Sequence, residues 1–316
     1  MDRKLAVAAI GGNSLIKDPN HKSVMDQYRA AGETCHHIAN LIEDGWDVAI
    51  GHGNGPQVGF ILRRSEIAHR AAGMHEVPLD TCGADSQGAI GYALQQNLDN
   101  ELNTRGLHKH AVTIITQVVV DPQDAAFQHS TKPIGSYMTE DEANARAARD
   151  GWKVAEDAGR GWRRVVPSPI PQEIVELEAV RELLNAGIVT ITVGGGGIPV
   201  VRDENGMLHG VAAVIDKDYA SSLLAQSLGA ELFLISTAVE CVHLNFGKPN
   251  QESIGVMTVA QAKQHLEEGH FLVGSMLPKI KAIISFLENG GSRAIITDPV
   301  NIARALRGET GTRIIP

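Results

Sequence analysis

At 316 residues, with 43% hydrophobic and 21% charged residues, the chain has the composition of a globular protein large enough for one big α/β unit or two lobes. Lys and Arg total 28 against 37 Asp and Glu, and the resulting net charge of −9 excludes an extended nucleic-acid groove while allowing a few focused lysines to hold a small anion. The apolar runs fall far short of the ~20 residues of a membrane span. Met1-Asp-Arg-Lys4 enters a strand-like segment with no secretory pattern, and Cys35, Cys82 and Cys241 read as widely spaced reduced thiols, so the expected location is cytoplasmic.

Lys4–Ile10 reads as a central parallel strand ending in Gly11-Gly12. A helix over Gln27–Glu43 stops at Gly45, and a strand over Trp46–Ile50 runs into a second glycine loop, Gly51-His-Gly-Asn-Gly-Pro-Gln57. Helices are predicted over Val58–Ala72 and Ser86–Leu102, followed by one long strand over Ala111–Val120. From Asp121 to about Pro171 the alternation fails amid five prolines, and this stretch reads as an inserted excursion or lid. Alternation then resumes with a helix over Glu173–Asn185 and a strand over Ile188–Val193 that ends at Gly194–Gly197. Beyond it come a helix at Tyr219–Leu228, a strand at Leu232–Ser236, helices at Val259–Glu268 and Lys279–Glu288, a strand at Ala294–Thr297 and a short helix near Ile302–Leu306. Such alternation predicts a parallel sheet covered on both faces, with ligands at the carboxyl ends of its strands.

Chemistry concentrates in three lysines set among glycines, prolines or carboxylates: Lys132 in Ser130-Thr-Lys-Pro-Ile-Gly135, Lys217 between Asp216 and Asp218, and Lys279 after Pro278. Ammonium groups and backbone N–H groups of glycine loops are what holds phosphate oxygens and neutralises a phosphoryl group in transfer. The usual phosphate-loop string and the protein-kinase signatures are both absent, so a kinase here would belong to a third architecture. Gly11-Gly-Asn-Ser14 fits an anion-facing turn and an ordinary strand-to-helix turn equally well. Three glycines in Gly51–Gln57 and four in Gly194–Gly197 favour close approach by a ligand, and His52 reads as a packed histidine rather than a base. Lys217 at a helix start opposes the helix dipole, which favours function over surface decoration. The thirteen histidines show no metal spacing, and Ser65 and Ser86 occupy no nucleophile elbow.

The strings Ala9-Ile-Gly-Gly-Asn13, His52-Gly-Asn-Gly-Pro-Gln-Val-Gly59, Thr116-Gln-Val-Val-Val-Asp-Pro122, Thr131-Lys-Pro-Ile-Gly135, Glu156–Ser168, Gly194–Val201, Ala213–Asp218, Asn245-Phe-Gly-Lys-Pro249 and Gly274–Lys279 span nearly the whole chain. Together they resemble those of the carbamate kinases of the amino-acid-kinase superfamily. The resemblance implies a three-layer αβα sandwich around a mostly parallel open sheet, with a protruding subdomain, in a homodimer. It implies reversible phosphoryl transfer between ATP and carbamate, giving ADP and carbamoyl phosphate, with Mg²⁺ held through the nucleotide and no metal bound by the protein itself. Residues 1–120 would form the carbamate and phosphoryl lobe, 121–171 the protruding lid and 172–316 the nucleotide lobe. Gly11, Gly12 and Asn13 would hold the transferring group, and Gly53, Asn54 and Gly55 the carbamate. Lys132 would reach in from the subdomain, Lys217 and Lys279 would neutralise the equatorial oxygens, and Asp218 would orient the lysines. Gly195, Gly196, Ala238, Val239, Gly274, Ser275 and Met276 would contact the nucleotide.

Four positions depart from the family pattern: Ser14 for Ala, Asp85 where Met is common, Ala238 in place of an acid, and Leu277 in place of Gly two residues before Lys279. They point to a divergent, carbamate kinase-like paralogue. Two alternatives accompany the main reading: a kinase for another small carboxylate or carbamate-like acceptor, and a nucleotide- or phosphate-binding sensor without turnover.

Overall fold

The computed structural model describes residues 4–11, 23–157, 159, 161–272 and 274–316. Before the insert lie β1 (Leu5–Ile10), α1 (Val24–Glu43), β2 (Asp47–His52), α2 (Gln57–Ala72), α3 (Leu79–Thr104), β3 (Ala111–Thr113) and β4 (Gln117–Val120). The insert holds β5 (Lys132–Met138), α4 (Glu140–Asp150), β6 (Lys153–Glu156) and β7 (Trp162–Val166), and β8 (Pro171–Ile174) closes it. The chain continues through α5 (Leu177–Asn185), β9 (Val189–Ile191), β10 (Ile198–Arg202), β11 (Leu208–Gly210), α6 (Lys217–Leu228), β12 (Leu232–Ser236), β13 (Val242–Leu244) and β14 (Glu252–Ile254). It ends with β15 (Val256–Thr258), α7 (Val259–Glu267), α8 (Met276–Glu288), β16 (Arg293–Thr297), α9 (Ile302–Leu306) and β17 (Thr312–Ile315).

The main sheet has the order β15-β17-β16-β12-β1-β2-β9-β3, and every pairing in it is parallel except β16 with β17. β1 shows why helices cover both faces. All six of its residues are buried, and their alternation sends Leu5, Val7 and Ala9 into one core and Ala6, Ala8 and Ile10 into the other. The first core is closed by apolar residues of α5, α6, α7 and α8, and the second by those of α1, α3 and α9. This is the three-layer αβα sandwich the sequence leads one to expect, and strands from before and after the insert interleave within its one sheet.

Local differences from the sequence reading have physical causes. The long strand expected over Ala111–Val120 is two strands in different sheets: β3 pairs with β9, whereas β4 joins β10 in a second sheet ordered β11-β10-β4-β8. The chain turns out at Thr116, whose N–H donates to Gln87 Oε1 (2.8 Å) instead of to a neighbouring strand. The helix expected from Glu173 begins at Leu177, because Pro171–Ile174 pairs antiparallel with β4. α3 begins seven residues before Ser86, next to Pro78, whose extended backbone (φ −67°, ψ 160°) precedes its first turn.

The insert is better ordered than its weak periodicity suggests. β5, β7 and β6 form an antiparallel sheet beneath α4, which starts from a capping box of Thr139 and Glu142. A small core of Val58, Leu79, Cys82, Ile134, Val166 and Val214 joins it to the body. Glu66 of α2, 9% exposed, is paired with Arg146 (2.6 Å) and Arg164 (3.8 Å), both stacked on Trp152. Gly59 of α2 meets Gly135 of β5 backbone to backbone, so a Cβ on Gly59 would lie 2.1 Å from the Gly135 Cα. Gly59→Ala must therefore push the insert off α2, at a cost of about 1–3 kcal/mol by the usual scale of overpacking. A lowered melting temperature with faster proteolysis within residues 121–171 is expected; an unchanged melt would show that the contact yields freely.

Candidate active site

Four parallel strands, β1, β2, β9 and β12, deliver their carboxyl ends to one edge of the sheet. The loops there are laced together by the backbone: the N–H of Gly11 donates to Ser236 O (3.0 Å), that of Gly53 to Ile10 O (3.0 Å), and that of Thr192 to Ile50 O (2.8 Å). A cavity of about 210 Å³ opens at this edge, beneath β5 of the insert. It is walled by Gly53, Asn54 and Gly55, by Lys132, by Gly195, by Asp216, Lys217 and Asp218, and by Gly274 and Lys279.

Asp218 is the centre of the charge arrangement. It lies in the first turn of α6 and is 2% exposed. One of its carboxylate oxygens pairs with Lys217 and the other with Lys279 at 3.2 Å. Lys279 also donates to the carbonyl of Ser275 (3.1 Å), the residue just before α8. Asp216 caps α6, accepting the N–H of Asp218 (2.9 Å), and its second oxygen takes Lys132 Nζ at 2.5 Å. Burial alone would raise the Asp216 carboxyl, but the charge and hydrogen bond of Lys132 hold it well below the usual carboxylate range. Burial pulls the Lys217 ammonium below its ordinary value, and the adjacent Asp218 opposes that shift. Three lysines thus face two carboxylates, a formal net charge of +1 on the cavity wall when all five groups are ionised.

Glycines shape the rest. Gly195 has φ +67°, and a Cβ there would sit 2.1 Å from Asn54 Oδ1. Asn54 in turn accepts from Ser86 Oγ (2.7 Å) and reaches toward Gly195 O (3.4 Å). From the sequence, the run Gly194–Gly197 is expected to admit close approach by a ligand. The close approach is made by the protein itself, through His52, Asn54, Ile215 and Val118. Gly195 lines the cavity, whereas Gly196 is buried against the Ile215 carbonyl and does not. His52 is packed, as its sequence setting suggests: it is 1% exposed, with Nδ1 3.1 Å from Gly53 O.

Of the remaining predicted residues, Gly11 stands at the end of β1 beside Ser236, and Gly12 and Asn13 lie outside the described residues. Ala238 and Val239 follow β12 on the same edge but do not line the cavity. Gly274 lines it; Ser275 is exposed beside it, and Met276 packs against the core. Within the insert, Arg163 donates to Gly135 O (3.1 Å) and pairs with Asp157 (3.0 Å). Sequence reasoning assigned no role to Val58, Gly59, Ile134 or Val214 in the cavity wall. Nothing in their residue types announces that role, which comes from the docking of β5 on α2.

The family model for the amino acid kinase family matches residues 4–298. The chain belongs to that family. Within it, the carbamate kinase-like protein YahI of Escherichia coli is 48% identical over 99% of both chains, and the carbamate kinase of Clostridium perfringens is 47% identical over 98% of this chain and 99% of that one. The solved carbamate kinase of Giardia lamblia bound to AMP-PNP superposes with a TM-score of 0.91 at 40% identity, covering 99% of each chain. This chain is therefore a member of the carbamate kinase and carbamate kinase-like group.

Two measurements probe the site's construction. Leu277 occupies the second position of α8 and packs against the core, so the backbone there is helical and has no need of glycine. Leu277→Gly should destabilise the protein by about 1–3 kcal/mol, from lost burial and weaker helix propensity. An unchanged thermal melt together with a lower KM for ADP would instead mark Leu277 as an attenuating residue.

Burial lowers the His52 pKa from 6.5 to about 4. A histidine that resists protonation only when folded costs stability as pH falls through that window, because the unfolded chain takes up the proton first. The penalty is absent above about pH 6.5 and complete below about pH 4, where it reaches about 3 kcal/mol. Denaturant titrations across this range should show a shallower acid loss for His52→Gln than for the wild type; equal slopes would remove His52 as the source.

Proposed function

We propose that the chain is an ATP:carbamate phosphotransferase, interconverting ADP and carbamoyl phosphate with ATP and carbamate. The observation that carries this reading is the sharing of buried Asp218 by Lys217 and Lys279 at a small cavity on the carboxyl edge of the sheet. A volume of about 210 Å³ is below the ~300–1,000 Å³ typical of drug-sized sites and suits a small phosphorylated acid. Carbamate already carries an anionic oxygen, so transfer needs no general base, and catalysis reduces to alignment and charge neutralisation. That agrees with the cavity wall, whose charged groups among the described residues are three lysines and the two carboxylates paired with them.

In this reading Lys217 and Lys279 face the equatorial oxygens of the group in flight, with Asp218 fixing both ammonium groups beforehand so that little reorganisation is left for the reaction. Lys132 comes in with the insert and is positioned by Asp216, which ties residues 121–171, as a lid, to the start of α6. Gly53, Asn54 and Gly55 surround the acceptor, with Gly11 toward the transferring group. Residues 1–120 then serve the acceptor and 172–316 the nucleotide, along Gly195, Ala238, Val239, Gly274, Ser275 and Met276, while Gly196, buried against the Ile215 carbonyl, takes no part. Both carboxylates of the cavity are already paired with lysines, so the donor set fits Mg²⁺ carried by the nucleotide phosphates rather than one bound by the protein. Such an ion would neutralise phosphate charge. A homodimer in the cytoplasm accompanies this reading through the family resemblance.

One observation favours a second reading, a larger acidic acceptor. A pocket of about 450 Å³ shares Gly59, Ile134 and Gly135 with the first cavity and is lined by Arg63, Arg146 and Arg164. Among the described residues Arg63 makes no ion pair.

The decisive assay is ATP formation from ADP and carbamoyl phosphate. Turnover supports the first reading; turnover only with another acyl phosphate supports the second, and binding without turnover would overturn both. Lys217→Ala and Lys279→Ala should each lower kcat by on the order of 10²–10³, with smaller changes in KM, because they act on charge that develops in transfer. An undiminished kcat in either variant would remove that residue from the catalytic set.

A further inference from the structure

The end of α7 carries three potential metal ligands that the phosphoryl chemistry does not use. The helix stops at Glu268, and Gly269 follows with φ +75°. The N–H of Gly269 then donates to Leu266 O (3.2 Å) and that of His270 to His265 O (3.1 Å). This paired pattern is a Schellman motif, in which the residue after the glycine folds back on the residue three places inside the helix end. The contact it creates is usually apolar. Here it sets two imidazoles together, His265 and His270, with ring centroids 5.6 Å apart and planes at 80°.

Between them stands the carboxylate of Glu268. Its Oε2 lies 3.2 Å from His265 Nδ1 and 3.2 Å from His270 Nε2. The other oxygen, Oε1, accepts from Gln264 Nε2 at 2.8 Å, which fixes the carboxylate plane. All three ligand atoms lie within 4.8 Å of one another. For bonds of about 2.0–2.1 Å, tetrahedral coordination separates ligand atoms by about 3.3 Å, close to the two N···O distances already present. Both histidine side chains are 20% exposed and Glu268 is 42% exposed, so an ion can enter from solvent.

We infer that His265, Glu268 and His270 form a binding site for a divalent transition-metal ion of the Zn²⁺ class. Two imidazoles and one carboxylate suit Zn²⁺ or Ni²⁺ rather than Mg²⁺ or Ca²⁺, which prefer all-oxygen shells. Three protein ligands leave the fourth position to water. Gln264 is the outer partner that holds the carboxylate, in the way that second-layer hydrogen bonds tune metal affinity. The sequence shows the spacing His-x-x-Glu-Gly-His only in retrospect, because its meaning depends on the glycine reversing the chain at that point.

The test uses the full chain without an affinity tag, titrated calorimetrically with ZnCl₂ in the absence of nucleotide, so that Zn²⁺ competing for phosphate oxygens cannot enter the result. One ion per chain should bind in the micromolar range, undiminished by excess Mg²⁺, and should raise the melting temperature by a few degrees at saturating concentration. His265→Ala and His270→Ala should each abolish the melting shift, and Gln264→Ala should weaken binding about tenfold while removing no ligand. His36→Ala removes a histidine from a different adjacent pair, His36 and His37, and should leave binding intact. Melts of the metal-free variants matching the wild type would exclude misfolding as the cause of any loss. Zn²⁺ binding that survives His270→Ala unchanged, or is lost in His36→Ala, would overturn the assignment, as would the absence of micromolar binding.

Discussion

The division of one buried carboxylate between two lysines organises this molecule's chemistry. Two ammonium groups drawn toward the same point would repel each other, and burial makes each of them costly. Asp218 makes their proximity tolerable, and it does so from the first turn of α6, where the helix dipole favours an anion and disfavours the adjoining Lys217. Asp216 repeats the device one step outward by capping the same helix and holding Lys132. The Asp-Lys-Asp triplet thus joins the insert, α6 and α8 through five charged groups, and the glycine loops need only shape the space around them.

Much of this was legible in the sequence, and the reasons are local. The six buried residues of β1 announce a central strand because both faces must be apolar, and the lysines stand out because each occupies a setting where a mere surface charge would gain little. The family strings then supplied roles that no periodicity could. The central αβα layers follow from such signals, since helix and strand periods repeat over long segments.

What was not legible depends on contacts between distant segments. Thr116 turns the chain out of the sheet because Gln87, far away on α3, offers a side-chain acceptor. The four glycines from Gly194 are required by Asn54, His52, Ile215 and Val118, so a feature that looked like space for a ligand is space for the protein's own atoms. The insert has little apolar periodicity of its own, because much of its cohesion comes from arginines stacked on Trp152 and paired with Glu66. Charged clusters of that kind leave no periodic trace.

The strand order of the main sheet has a consequence for how the chain reaches this structure. β1 is flanked by β2 on one side and by β12 on the other, with Ala6 paired to Leu232. During synthesis the most apolar strand emerges well before one of its two neighbours exists, and most of the chain, including the whole insert, must follow before that edge is covered. Pairings so remote in sequence are slow to form and leave a sticky edge open meanwhile. The sheet's centre is therefore completed late, and the protein's yield in a cell should depend on protection of the nascent amino-terminal half as much as on the final stability of the sandwich.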